Sequence, residues 1–166
     1  MNIYRIFLIV GLLIVKDVMA VSVNDTLPEC QLKQLNDLSK PLDFKQYRGK
    51  VLYIDFWASW CGPCAKSFPY MNHLDNRLKK QGLQIIAINL DEKVDDAIAF
   101  LRKSPVDFTL AYAPEQKCAQ LFDVQAMPST FLVDKKGVVR YVHLGFKDGE
   151  IKELELIMNA LLAEKL

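Results

Sequence analysis

The sequence predicts an α/β domain with a mixed central β-sheet covered by helices. Three observations lead there. Two short, nearly unbroken apolar runs, VLYIDFW (51–57) and LQIIAINL (83–90), suit strands buried on both faces. Segments with apolar residues three and four apart follow them, as helices that cover a sheet should. Near the C-terminus, STFLVD and VVRYVHL flank a Lys136-Gly137 turn and read as a hairpin, which adds an antiparallel pair. The 166 residues are enough for one domain with a real core, and they contain no internal repeat or low-complexity segment.

In chain order, residues 21–50 form an N-terminal extension, with short strands expected near Glu29 to Lys33 and Leu42 to Phe44 and a turn at Arg48-Gly49-Lys50. The strand 51–57 follows. Phe68, Met71, Leu74 and Leu78 then recur at helical spacing between Pro63 and Lys80, and Gly82 stops that helix. After the strand 83–90 comes a helix from Val94 to Lys103, closed by Pro105. Phe108 to Ala111 reads as a short strand and Glu115 to Phe122 as a short helix before the hairpin. Ile151, Leu154, Ile157, Met158, Leu161 and Leu162 form the apolar face of a final helix, with Asp148 as its N-cap.

The first twenty residues differ from the rest. A basic start, MNIYR, precedes the apolar run IFLIVGLLIV, and V-M-A ends at Ala20 with residues suited to a signal peptidase. The run is shorter than the roughly 20 residues that span a bilayer. Residues 1–20 therefore read as a secretory signal peptide, with an uncleaved membrane anchor or a buried helix as the alternatives, and 21–166 as the domain. Cleavage would remove Arg5, Lys16 and Asp17, taking 21 basic and 20 acidic residues to 19 each. No basic stripe points to nucleic acid. Outside the cytosol, thiols oxidise unless something keeps them reduced.

Cys61 and Cys64 stand three apart where the first buried strand gives way to a helix. The first sulfur then meets unpaired backbone N–H groups and the positive end of the helix dipole, which favour a thiolate. The second lies one turn on, within reach of a disulfide. Pro63 presets the helical φ and loses no needed N–H, while Gly62 leaves the first sulfur uncovered. A lone C-x-x-C also serves as half a zinc site. The further ligands for that are Cys30, Cys118, His73 and His143, scattered singly, and Ala65 after Cys64 excludes covalent haem attachment.

With FWASWCGPC (56–64), Pro69 five residues after Cys64, Met127-Pro128-Ser129-Thr130 and Gly145, the chain resembles the thioredoxin superfamily. Within it, the chain looks like the exported TlpA/ResA-like thiol-disulfide oxidoreductases, over about Leu27 to Leu162. The N-terminal extension and the stretch Glu92 to Pro114 are similar to TlpA-like members. The resemblance implies a thioredoxin-like fold, periplasmic location and no cofactor, since the dithiol itself carries the electrons. It also implies that Pro128 is cis and faces the dithiol. Asp55 would be the buried acid that assists proton transfer at Cys64, its pKa raised by apolar surroundings. An Asp at the strand end facing solvent is the alternative. The thioredoxin lysine beside that acid falls at Ala87 here, a departure from the family pattern.

The implied catalytic group is Cys61, Cys64 and Asp55, with Trp60, Gly62, Pro63, Met127 and Pro128 forming the substrate groove and no metal. Trp57 is expected in the core. The potentials of thioredoxin and DsbA differ by about 150 mV, and much of the gap follows thiolate pKa. Gly-Pro between the cysteines offers no His or Lys to stabilise the thiolate, so a reducing potential is expected. The partners would be disulfide-containing exported proteins and a membrane electron donor of the DsbD type. The membrane itself would be a partner only if the leader stays uncut. The alternatives are a dedicated reductase in cytochrome c or copper-site maturation, or a metal-binding thioredoxin-fold module. Cys30 and Cys118 read as buried small hydrophobes, with a second disulfide between them left open.

Overall fold

The computed structural model describes residues 20–113, 115–146, 149 and 151–165. Residues 1–19 of the expected leader and the expected N-cap Asp148 lie outside them. The chain runs β1 (Leu32–Gln34), β2 (Asp37–Leu42), β3 (Val51–Trp57), α1 (Gly62–Leu78), β4 (Leu83–Asn89) and α2 (Val94–Lys103). It continues through β5 (Thr109–Tyr112), α3 (Lys117–Leu121), β6 (Ser129–Val133) and β7 (Val139–Leu144) to α4 (Ile151–Ala163). Seven strands form one mixed sheet in the order β2-β1-β5-β4-β3-β6-β7. β3 pairs in parallel with β4 and β4 with β5, whereas β6, β7, β1 and β2 each run antiparallel to their neighbours.

Every residue of β3 and β4 is buried, because helices cover one face and the N-terminal extension and α3 the other. The alternation of a strand sorts β3 between two cores. Val51, Tyr53 and Trp57 pack with Cys61, Cys64, Phe68 and Met71 of α1 and with Leu154, Met158 and Leu161 of α4. Leu52, Ile54 and Phe56 pack instead with Phe44, Cys118, Phe122 and Phe131. Asp55 has the parity of Tyr53 and Trp57, so it points to the side of the dithiol.

The extension departs from expectation. Glu29 to Gln31 are not strand, and Phe44 begins a 3-10 turn instead of ending a strand. The two strands are a tight hairpin around Leu35-Asn36, with Leu32 opposite Leu42. β2 stops at Leu42 because the Asp43 carboxylate accepts the Lys45 N–H at 2.9 Å and caps the turn that follows. The other boundaries shift by one or two residues. α1 gives way at Lys79 to a 3-10 turn that Gly82 closes at φ 104°, a left-handed conformation suited to glycine. β4 ends at Asn89, whose side chain turns to Asp91.

Candidate active site

β3 delivers the chain at Trp57, and four residues later Cys61 is the N-cap of α1, with φ −82° and ψ 99°. Its sulfur accepts the Cys64 N–H at 3.2 Å, one of the donors a helix start leaves unpaired. The pair forms a disulfide with a Cα–Cα distance of 5.3 Å, so the structure shows the oxidised form. Pro63 lies in the first turn, and a Cβ added at Gly62 would meet nothing within 4 Å. Cys64 is fully buried and Cys61 is 4% exposed, whereas Trp60 is 73% exposed. In this oxidised form Cys61 is not uncovered as expected: it lies in the floor of an open depression of about 570 Å³, beside Trp60, Gly62, Pro63 and Met127.

Asp55 is completely buried, which removes the solvent-facing alternative. Burial raises its carboxyl from the ordinary 3.8 to about 7, and the Thr130 hydroxyl, donating to Oδ1 at 2.7 Å, opposes part of that rise. Thr130 Oγ1 also lies 3.4 Å from the Tyr53 hydroxyl, which burial first and the Asp55 charge second keep protonated well above its usual range. Oδ2 has no hydrogen-bond partner among the described residues. With Oδ1 accepting from Thr130, Oδ2 is the oxygen left open to a proton. At neutral pH the group is poised between its two forms, as a proton relay requires.

The Met127–Pro128 peptide is cis. Pro128 is buried behind Met127 and does not line the depression, so of the five expected groove residues four are brought together at Cys61. The Pro128 carbonyl accepts the Gly145 N–H at 2.7 Å, continuing the β6–β7 ladder. The Pro128 carbonyl is therefore already engaged within the sheet. Trp57 is fully buried, as expected for core.

Two features were not foreseen, and a third had been left open. The Asp91 carboxylate accepts from the Ser59 amide (3.0 Å to Oδ2), the Ser59 hydroxyl (2.9 Å) and Asn89 Nδ2 (2.8 Å), fastening the approach to Cys61. The signal was Asn89-Leu90-Asp91 at the carboxyl end of a parallel strand, the edge of an open sheet where sites gather. Thr130 was noted only as part of the proline loop, yet it holds Asp55. Cys30 and Cys118 are bonded to each other, 88 residues apart.

The Redoxin family pattern matches residues 22–158. The chain is 34% identical over 126 residues to the thiol-disulfide oxidoreductase ResA of Geobacillus kaustophilus, covering 76% of this chain and 71% of that protein. It is 30% identical over the same length to ResA of Bacillus subtilis, covering 76% and 69%. A crystal structure assigned as a thiol:disulfide interchange protein DsbE from Chlorobium tepidum superposes with a TM-score of 0.81 at 38% identity, over 87% of this chain and 100% of that one. The chain therefore belongs to the Redoxin family, as a TlpA/ResA-like thiol-disulfide oxidoreductase of the thioredoxin superfamily.

Proposed function

We propose that the protein is an exported protein-disulfide reductase acting in the periplasm, re-reduced there by a membrane donor of the DsbD type. The observation that carries this reading is the Cys61–Cys64 pair at the head of α1, opening onto a groove beside an exposed Trp60. In the reduced protein, the Cys61 thiolate attacks one sulfur of a substrate disulfide. A Cys61–substrate bond forms and the other substrate sulfur leaves as thiolate. Asp55 takes the proton of Cys64, whose sulfur then closes on Cys61 and expels the second substrate thiolate. Two electrons pass from the dithiol to the substrate, and the product is the disulfide seen here.

Export is supported by the leader-like residues 1–20. The reducing direction rests on Gly62-Pro63, which adds no cation to hold the thiolate. The zinc alternative loses two of its four scattered ligands, since Cys30 and Cys118 are consumed in one bond. Equilibration of the mature protein in glutathione buffers tests the direction, together with assays of insulin reduction. A potential well below about −150 mV and active reduction are expected. A potential above that value would reverse the direction.

A further inference from the structure

The second disulfide stands close to the first site. Gln116, Ala119, Val124, Gln125, Ala126 and Met127 form the wall of the groove that faces Trp60, Gly62 and Pro63. That wall is one continuous segment, and its first half is α3, a helix of five residues. Such a helix is far too short to hold itself in water. Its position must come from its attachments. Phe122 anchors the far end, its ring 4.8 Å from that of Phe131 and 5.0 Å from that of Phe56. Within α3 the buried side chain is Cys118, 3% exposed and bonded to Cys30 of the N-terminal extension with a Cα–Cα distance of 5.3 Å. The Val21 N–H adds a bond to the Leu121 carbonyl at 3.0 Å, again from the extension. Ala119, next to Cys118, lines the groove.

We infer that the Cys30–Cys118 disulfide is a positioning element for substrate recognition: it holds the α3 wall where an extended polypeptide bearing the target cysteines can lie against Cys61. The inference rests on the reading of the protein as one that acts on other proteins. It assigns the second pair no electrons of its own, since both of its sulfurs stay bonded throughout turnover. A small thiol needs no extended contact along the wall to react at Cys61, so loss of the cross-link should weigh on peptides far more than on small thiols.

The test starts from the oxidised protein and uses the exchange in reverse, with only initial rates taken and only molecules whose Cys30–Cys118 bond is still intact scored for wild type. Full-length wild type and Cys30→Ala/Cys118→Ala are mixed with a reduced ten-residue peptide containing two cysteines, or with dithiothreitol. Loss of the Cys61–Cys64 bond is followed by alkylation and mass mapping. The expected result is a half-saturating peptide concentration raised at least fivefold in the variant. The limiting rate, the dithiothreitol rate constant and the pH profile of Cys61 alkylation should each stay within twofold. An unchanged half-saturating concentration, or peptide and dithiothreitol rates falling together, would overturn the inference. If the alanine pair does not fold, Cys30→Ser/Cys118→Val is measured in its place, against the same outcomes. Wild type that reacts with dithiothreitol but never saturates with peptide would overturn the protein-substrate reading itself.

Discussion

Asp55 and Ala87 lie side by side in register across β3 and β4, so the buried carboxylate faces a methyl group on its parallel neighbour. On the other side it meets the Thr130 hydroxyl, across the antiparallel pairing with β6. Neither neighbouring strand places a cation directly beside it, and burial is left to dominate its titration. The acid is thereby held near neutrality by surroundings alone.

That arrangement has a stability cost that varies with pH. Below pH 3.8 the folded and unfolded chains both keep the Asp55 proton, and nothing is lost. From there to about pH 7 only the folded chain keeps it, so stability falls as pH rises. Above that the cost is complete, on the order of 4 kcal/mol. Asp55→Asn should therefore unfold several degrees higher than wild type at pH 8 and at nearly the same temperature at pH 3.5, as read by calorimetry. The same variant should slow release of substrate from the Cys61 mixed disulfide by about 100-fold, the scale of a lost proton relay.

Thr130→Val removes the donor that favours the ionised carboxylate while keeping the volume. A hydrogen bond to a charged group is worth about 1.5–3 kcal/mol, which moves a carboxyl up by about one to two pH units. The pH dependence of the release step, measured by stopped-flow after trapping, should shift by that amount to the alkaline side. An acid-side shift would contradict the role of the Thr130 hydroxyl.

Cys64→Ser leaves Cys61 able to attack but nothing to displace what it captures. Mass spectrometry should find a stable adduct joining Cys61 to a substrate cysteine. Cys61→Ser should give none.

Trp60 is large, exposed and beside the reacting sulfur. Trp60→Ala should raise KM for a protein disulfide about tenfold, equivalent to about 1.4 kcal/mol of binding. Its melting temperature should stay within about 2 °C of wild type, because no core contact is removed.

The parts of the fold set by local rules were readable in the chain. β3 and β4 are continuous apolar runs because both their faces are covered, and Cys61 is an N-cap because a strand ends and a helix must begin there. The hairpin β1–β2 was missed because Leu35-Asn36 is not one of the strong turn pairs and Pro41 reads as a breaker. On an edge strand, a proline is tolerated. The remaining omissions depend on contacts between distant positions. Thr130 meets Asp55 only through the pairing of β6 with β3, Asp91 reaches Ser59 over 32 residues, and Cys30 finds Cys118 over 88. No local pattern encodes such distances.

Pro41 has a wider consequence. β2 closes one side of the seven-stranded sheet, and its outer residues Ser39, Lys40 and Pro41 are all exposed. A proline offers no amide to a passing strand, and a lysine next to it repels sticky company. The extension thus does more than lengthen the chain: it covers the rim at β5 and presents a border on which stacking of one molecule onto another finds little to grip. For the proposed reductase of exported proteins, such a border keeps an extended stretch of a substrate from adding itself to the sheet as an eighth strand.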